Sequence, residues 1–304
     1  MVTPGASYAE SRRSKLMLDY RQPLRGGTYE IRQYLRGPAV YLDHWAFRRF
    51  SEDLELRHSL TSALADRDGT LAIGRLNLLE FTRVAYAAQL AAAEELVQAV
   101  LPRVFFLDIQ IMDVVNRENR REVGACGDMQ MFEYFGKPLL DDAQRWRAMK
   151  LFDILRCKQE EYRAGFADIE RKVLASLNEY ADLNRGEVRK GIEEAQDRPL
   201  ATLGLARALV DEIFRDKQRP LELGDASDIL HTVVPCAYCN YVLIDSEWRD
   251  YVERARKRLH PKQRIARVYS PREDGPQRFL EELRSHPKDP HGPPPWLAKD
   301  GTPV

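Results

Sequence analysis

Residues 40–47 read VYLDHWAF. An apolar run, AVYL (39–42), ends there on a carboxylate, Asp43, and residues with helical spacing follow at once. A short unbroken apolar run suits a strand buried on both faces of a sheet. A charge at the end of such a strand is costly to bury unless it caps a helix, finds a partner or binds a metal. Taken alone, Asp43 is explained by a cap as well as by a ligand.

Working outward, Trp45, Phe47, Phe50, Leu54, Leu56, Leu60 and Leu64 recur at helical spacing, and DRDG (66–69) makes a turn. TLAIG (70–74) reads as a second strand, residues 77–101 as one long helix rich in Ala and Leu, and RVFFLDI (103–109) as a third strand. Strands alternating with helices over short connections imply parallel pairing, with helices packed on the sheet. Residues 120–221 then carry amphipathic helices and no convincing strand. The alternation resumes with a helix in DASDILHTVVPCAY (225–238), a strand in NYVLID (240–245), a helix over 246–259 and a last strand in RIARVYS (264–270).

The sequence therefore predicts an α/β domain in two parts, 39–119 and 222–271, split by a helical insertion at 120–221. An N-terminal arm (1–38) precedes it. A Pro-rich tail (272–304) follows, expected to be disordered by composition, with RFLEELR (278–284) able to hold a short helix.

The totals exclude several classes. Lys plus Arg equals Asp plus Glu at 47 each among 304 residues, so there is no overall excess of positive charge of the nucleic-acid-binding kind. The first residues lack the apolar core of a secretory signal, and no apolar stretch approaches a membrane span. Four scattered cysteines do not make a disulfide scaffold. A soluble, reducing, cytoplasmic setting with no membrane partner is the expectation.

The acids fall in a pattern. Asp43 closes the first strand, Glu80 lies in the first turns of the helix after the second, Asp228 lies near the start of the helix before the fourth, and Asp245 closes the fourth. In open parallel sheets ligands gather at the carboxyl ends of the strands, and these positions face that edge. Carboxylates crowded together repel and raise one another's pKa. Magnesium or manganese, hard ions that prefer oxygen ligands, relieve the repulsion. Such a nest suits phosphodiester hydrolysis by metal-activated water, which requires no nucleophilic Ser or Cys.

The blocks VYLDHWAF, TLAIGRLNLLEF and DILHTVVPCAYCNYVLID resemble those of PIN-like nuclease domains over residues 39–110 and 222–270. The resemblance implies a three-layer α/β sandwich with a mainly parallel central sheet, here with an inserted α-helical subdomain. It also implies a magnesium- or manganese-dependent endonuclease, a ribonuclease by preference, with Asp43, Glu80, Asp228 and Asp245 as catalytic metal ligands. Single-stranded or structured RNA is the implied partner. Two departures stand out: Gly74 and Arg75 occupy the place where small PIN domains often carry Ser or Thr, and the insertion is larger than a compact PIN nuclease holds.

Other residues carry weaker signals. His44, Asn77, Asp225 and His231 lie beside the proposed ligands and are candidates to orient them, Asp225 also as the cap of its helix. Asp108 is a possible fifth acid or a turn residue. Cys236 and Cys239 have C-x-x-C spacing but no second pair to complete a zinc site, so they read as buried thiols. Arg254, Arg256, Lys257, Arg258, Lys262 and Arg264 form the densest basic stretch, either a nucleic-acid contact flanking the acids or a solvated helix face. Two other functions fit the same chain. One is an idle PIN-like scaffold whose insertion binds a protein partner or supports a homodimer. The other is a hydrolase of small phosphate esters.

Overall fold

The computed structural model describes residues 18–21, 30–33, 35–83, 86–101, 103–122, 124–131, 151–152, 159–184, 201–216, 221–259 and 263–287. Each apolar run singled out in the sequence forms a strand: β3 (Ala39–Leu42), β4 (Thr70–Gly74), β5 (Val104–Leu107) and β6 (Tyr241–Leu243). All four are buried along their whole length. With β7 (Arg267–Tyr269) they make a sheet in the order β5-β4-β3-β6-β7, parallel at every pairing.

Side chains on a strand alternate between faces, and here that alternation sorts the core into two layers. Val40, Leu42, Leu71, Ile73, Phe106, Tyr241 and Leu243 face one core. Ala39, Tyr41, Ala72, Phe105, Leu107 and Val242 face the other. The first layer is covered by α1 (His44–Glu52), α2 (Leu54–Arg67) and α4 (Ala87–Val100). The predicted helix from His44 onward is two helices because Asp53 takes extended backbone and its carboxylate caps the second, accepting from the Glu55 and Leu56 N–H groups. The predicted helix at 77–101 is likewise two, α3 (Arg75–Arg83) and α4, with Tyr86 extended between them.

The second layer contains α5 (Ile111–Asn119), α6 (Gln159–Asn184), α7 (Ala201–Asp216), α8 (Leu223–Tyr238) and α9 (Ser246–Arg256). The described helices of the insertion are thus not a lobe apart from the domain. Leu177, Leu205, Leu209 and Ile213 are buried in the same cluster as Tyr41, Phe105 and Val242. A parallel sheet whose strands are apolar on both sides requires this second cover.

Both ends of the chain also differ from expectation. β1 (Leu18–Arg21) and β2 (Glu30–Gln33) pair antiparallel within the predicted arm. The Gln33 amide then bonds the main chain of Phe106 in both directions, at 2.9 and 3.0 Å, which ties β2 to β5. Gly275–Ser285, assigned to the tail, forms α10. Phe279 there is fully buried among Phe50, Tyr241 and Tyr269, with ring centroids 5.7 to 5.9 Å apart. The short helix read in RFLEELR is thus present, and it is longer than that segment and packed into the core. The Pro-rich end beyond residue 287 lies outside the described residues. Among the described residues no helix is long and apolar enough to cross a membrane.

Phe279→Ala removes a ring packed on three others, a change that costs about 3–5 kcal/mol in a well-packed core. The expected outcome is a loss of that order in chemical denaturation; a disordered tail would give no change.

Candidate active site

The strand order reverses between β3 and β6, the position where open α/β sheets form a crevice at their carboxyl edge. Leu42 and Leu243 are partners in that pairing, and the Asp43 N–H continues it by donating to the Leu243 carbonyl at 2.9 Å. Asp43 and Asp245 therefore leave neighbouring strands at the same edge. Each caps the helix it precedes: Asp43 Oδ1 accepts from the Ala46 N–H at 3.3 Å, and Asp245 Oδ1 from the Trp248 N–H at 3.0 Å. The cap reading of both residues is thus borne out.

The other two acids come from helices that flank these strands. Trp248 joins the late pair, since its indole N–H donates to Asp228 Oδ2 at 2.8 Å while its backbone N–H serves Asp245. Glu80 on α3 meets His231 on α8, with Oε2 at 3.0 Å from Nε2. His231 Nδ1 lies 2.6 Å from the Tyr41 hydroxyl on β3. Neither Tyr41 nor Trp248 was singled out in the sequence. Both are large buried side chains with one polar atom that requires a partner. Tyr41 also lies two positions before Asp43, which puts the two on one face of the strand.

The acids act on one another. Burial pushes the Asp43 carboxyl well above the usual carboxylate range, and Glu80 and Asp245 add to this against the opposing pull of His231 and the Ala46 N–H. Burial and the charge of Asp245 raise Asp228 to about 6. Burial alone would lower His231, but Glu80, Asp43 and Asp228 together bring it above its ordinary value. His44 goes the other way, lowered mainly by burial. Its Nδ1 is buried without a hydrogen bond, 3.7 Å from Glu80 Oε2, and its ring packs on Phe81.

Among the described residues no group of three or more His, Cys, Asp or Glu side chains is placed to hold a metal ion. The proposed ligands are turned to other partners, namely two helix caps, an indole and an imidazole. Their chemistry nevertheless fits a hard divalent cation: the donors are carboxylates, Asp43 and Asp228 among them raised in part by their acidic neighbours, with a buried nitrogen left without a hydrogen bond beside them. Asp43, Glu80, Asp228 and Asp245 would hold it.

The remaining candidates have structural roles. Asn77 bonds no carboxylate; its side chain accepts from the Gly74 N–H at 2.9 Å and donates to the Leu42 carbonyl at 2.8 Å, clasping the ends of β3 and β4. Asp225 is not the cap of α8. That helix begins two residues earlier, so Glu222 is the cap and Asp225 completes a reciprocal capping box by accepting from the Glu222 N–H at 2.9 Å. Asp108 is paired with Arg117 at 2.5 Å. Gly74 stands where Ser or Thr was expected because a Cβ there would come within 2.8 Å of buried Ile109 Cγ2. Arg75 beside it forms a bidentate pair with buried Asp128. Cys236 and Cys239 are buried thiols, as their isolated C-x-x-C spacing implies.

Three residues of the basic stretch are engaged within the fold. Arg254 lies nine positions beyond Asp245, about 14 Å along the α9 axis. Arg254 and Arg258 bond Glu212 at 3.3 and 3.0 Å, and Arg256 bonds Glu253 and the Ala266 carbonyl. This charge ties α7 and the residue before β7 to the C-terminal end of α9. Lys262 lies outside the described residues.

On the acid side, the insertion comes close to the site. Ser227, next to Asp228, donates to Glu170 of α6, and Ile169 and Val173 pack with Leu76, Leu79, Ile109 and Leu230. Comparison with protein-family models, curated proteins and solved structures found no match.

A carboxyl whose pKa is higher folded than unfolded binds its proton more tightly in the fold. Its presence therefore costs stability as pH rises from the ordinary value of 3.8 through about 6 for Asp228. Asp228→Asn keeps an acceptor for the indole and removes the charge. In the absence of divalent metal it is expected to stabilise the protein by about 2 kcal/mol above roughly pH 7, and by nothing near pH 3. Thermal or urea unfolding at both pH values checks this.

Proposed function

We propose that this chain is a PIN-like, divalent-metal-dependent nuclease that hydrolyses phosphodiester bonds, RNA before DNA. The observation that carries the reading is the crowding of Asp43, Glu80, Asp228 and Asp245 at the switch point of a parallel sheet. There burial and mutual repulsion hold Asp43 and Asp228 above the usual carboxylate range. A fold does not gather mutually repelling, buried and half-buried acids for its own stability. A magnesium or manganese ion held by these residues would supply positive charge against a phosphate and lower the pKa of water.

The chain's own residues perform the rest. Asp43 and Asp245 project from two strands joined backbone to backbone, so their spacing is set by the sheet. Trp248 holds Asp228 against that pair, and His231 holds Glu80 on the opposite side. The preference for RNA follows from the resemblance to PIN-like domains.

A small phosphate ester is a second reading, favoured by one observation. Arg254, Arg256 and Arg258, which would track a polymer backbone, are paired within the fold, while α6 of the insertion packs beside the acids.

The deciding assay incubates the full chain with single-stranded RNA, single-stranded DNA and a chromogenic phosphodiester, each with manganese or magnesium. Cleavage of RNA that EDTA abolishes is expected. Asp43→Asn keeps a good helix cap and should lower the rate about 100-fold, equivalent to about 3 kcal/mol of lost transition-state stabilisation. Cleavage that survives both EDTA and the substitution would sink the metal-site reading. Turnover of the small ester alone would select the second reading.

A further inference from the structure

The sheet order lays the site out from side to side: Asp43 at the end of β3, Asp245 beyond β6, and then the end of β7. Main-chain pairing continues past the strands, since the Ile244 N–H donates to the Tyr269 carbonyl at 3.0 Å. Ser270, with 1% of its surface exposed, therefore follows β7 at the edge where Asp245 follows β6. At the usual strand spacing it stands about 5 Å along that edge from Asp245 and about 10 Å from Asp43.

Arg249 occupies this position. It lies one turn into α9, where its main-chain N–H donates to the Asp245 carbonyl at 3.0 Å. An acid and a base at this helical spacing ordinarily pair. The Arg249 guanidinium reaches over the next strand instead, and Nη1 donates to Ser270 Oγ at 3.3 Å. Asp250 and Glu273 stand 3.9 and 3.6 Å away, outside hydrogen-bond reach and open to water. One long bond leaves most of the guanidinium's N–H donors available. The other arginines are spent differently. Arg75, at the end of β4, is held by Asp128 and Gln130, while Arg254, Arg256 and Arg258 are held by Glu212, Glu253 and the Ala266 carbonyl.

We infer that Arg249 seats a phosphate of the RNA strand next to the one being cut, at the β7 end of the switch-point edge. The inference rests on the reading of the acids as a phosphodiester site, and it names the residue that holds the polymer there. The planar fork of an arginine matches phosphate oxygens in pairs, which an ammonium does not. A seat one strand away from Asp245 is beside the acids rather than on them, so its phosphate is a neighbour of the scissile one. Buried Ser270 steadies the guanidinium before the strand arrives.

Fluorescence anisotropy of a fluorescein-labelled single-stranded RNA with the full chain in EDTA reads this seat without metal or turnover. The wild type should bind. Arg249→Ala should weaken binding about 10-fold, the loss of one charge-assisted contact, and should lower the slope of log affinity against log salt by about 0.7. Arg249→Lys keeps the charge without the fork, so it should keep the slope and recover only part of the affinity. A wild type that does not bind overturns the inference, as does unchanged affinity in Arg249→Ala. Full affinity in Arg249→Lys also overturns it, because a diffuse positive surface would then suffice. Thermal unfolding checks that the variants fold; if Arg249→Ala does not, Arg249→Lys decides by partial loss or none.

Cleavage with manganese separates this inference from the functional reading. Arg249→Ala should raise KM for RNA about 10-fold with kcat retained, the mark of binding shared by ground and transition states. A fall in kcat with KM unchanged would place Arg249 on the scissile phosphate and overturn the neighbouring seat. A wild type that cleaves RNA, with Arg249→Ala binding it as tightly, retires the inference and leaves the nuclease reading. Binding that depends on Arg249 in a chain that cleaves nothing retires the nuclease reading and leaves Arg249 as the phosphate contact.

Discussion

The site depends on one alignment, the parallel pairing of β3 with β6. That register puts Leu42 beside Leu243, so the next residue of one strand and the next but one of the other, Asp43 and Asp245, leave the sheet side by side. These two positions are fixed by main-chain hydrogen bonds between fully buried strands, among the least deformable features of a fold. The other acids come from helices that close over this edge, α3 from the β4 side and α8 from the insertion side.

Nearly every polar group at this edge serves two purposes. Asp43 and Asp245 cap helices and also face each other across the switch point. Trp248 is core packing that also restrains Asp228, and Asn77 ties the ends of β3 and β4 through both halves of its amide. Apart from His44 Nδ1, this small set of side chains meets the requirement that buried polar groups be hydrogen-bonded, and Asp43 and Asp228 carry the remaining strain as raised pKa values. Stability is given up at the site, a pattern that accompanies function more often than folding.

The helical insertion belongs to the same arrangement. Strands β3 to β6 are apolar on both faces, so α5 to α7 were needed as cover together with α8 and α9. Because α6 covers the sheet near α3 and α8, Glu170 and Val173 come to rest against the elements that carry Glu80 and Asp228. The insertion supports the acid-bearing helices as well as extending the domain.

Local pattern made much of this legible. Unbroken apolar runs mark doubly buried strands, alternation with helices marks parallel pairing, and Asp43, Glu80, Asp228 and Asp245 stand at positions that such a sheet directs to one edge. Local pattern failed where identity depends on a distant partner. Composition cannot show that Phe279 fills a gap among Phe50, Tyr241 and Tyr269, or that Arg254 and Arg258 face Glu212. Nor can it show that Tyr41, His231 and Glu80, far apart in the chain, meet in a line. By itself the sequence determined the buried strands, their parallel pairing and the strand ends at which Asp43 and Asp245 stand, because these follow from periodicity along the chain. Which carboxylate is held by which group, and which cations are already paired, only the tertiary structure decided, because hydrogen bonds and ion pairs depend on ångström distances between segments that the chain order does not encode.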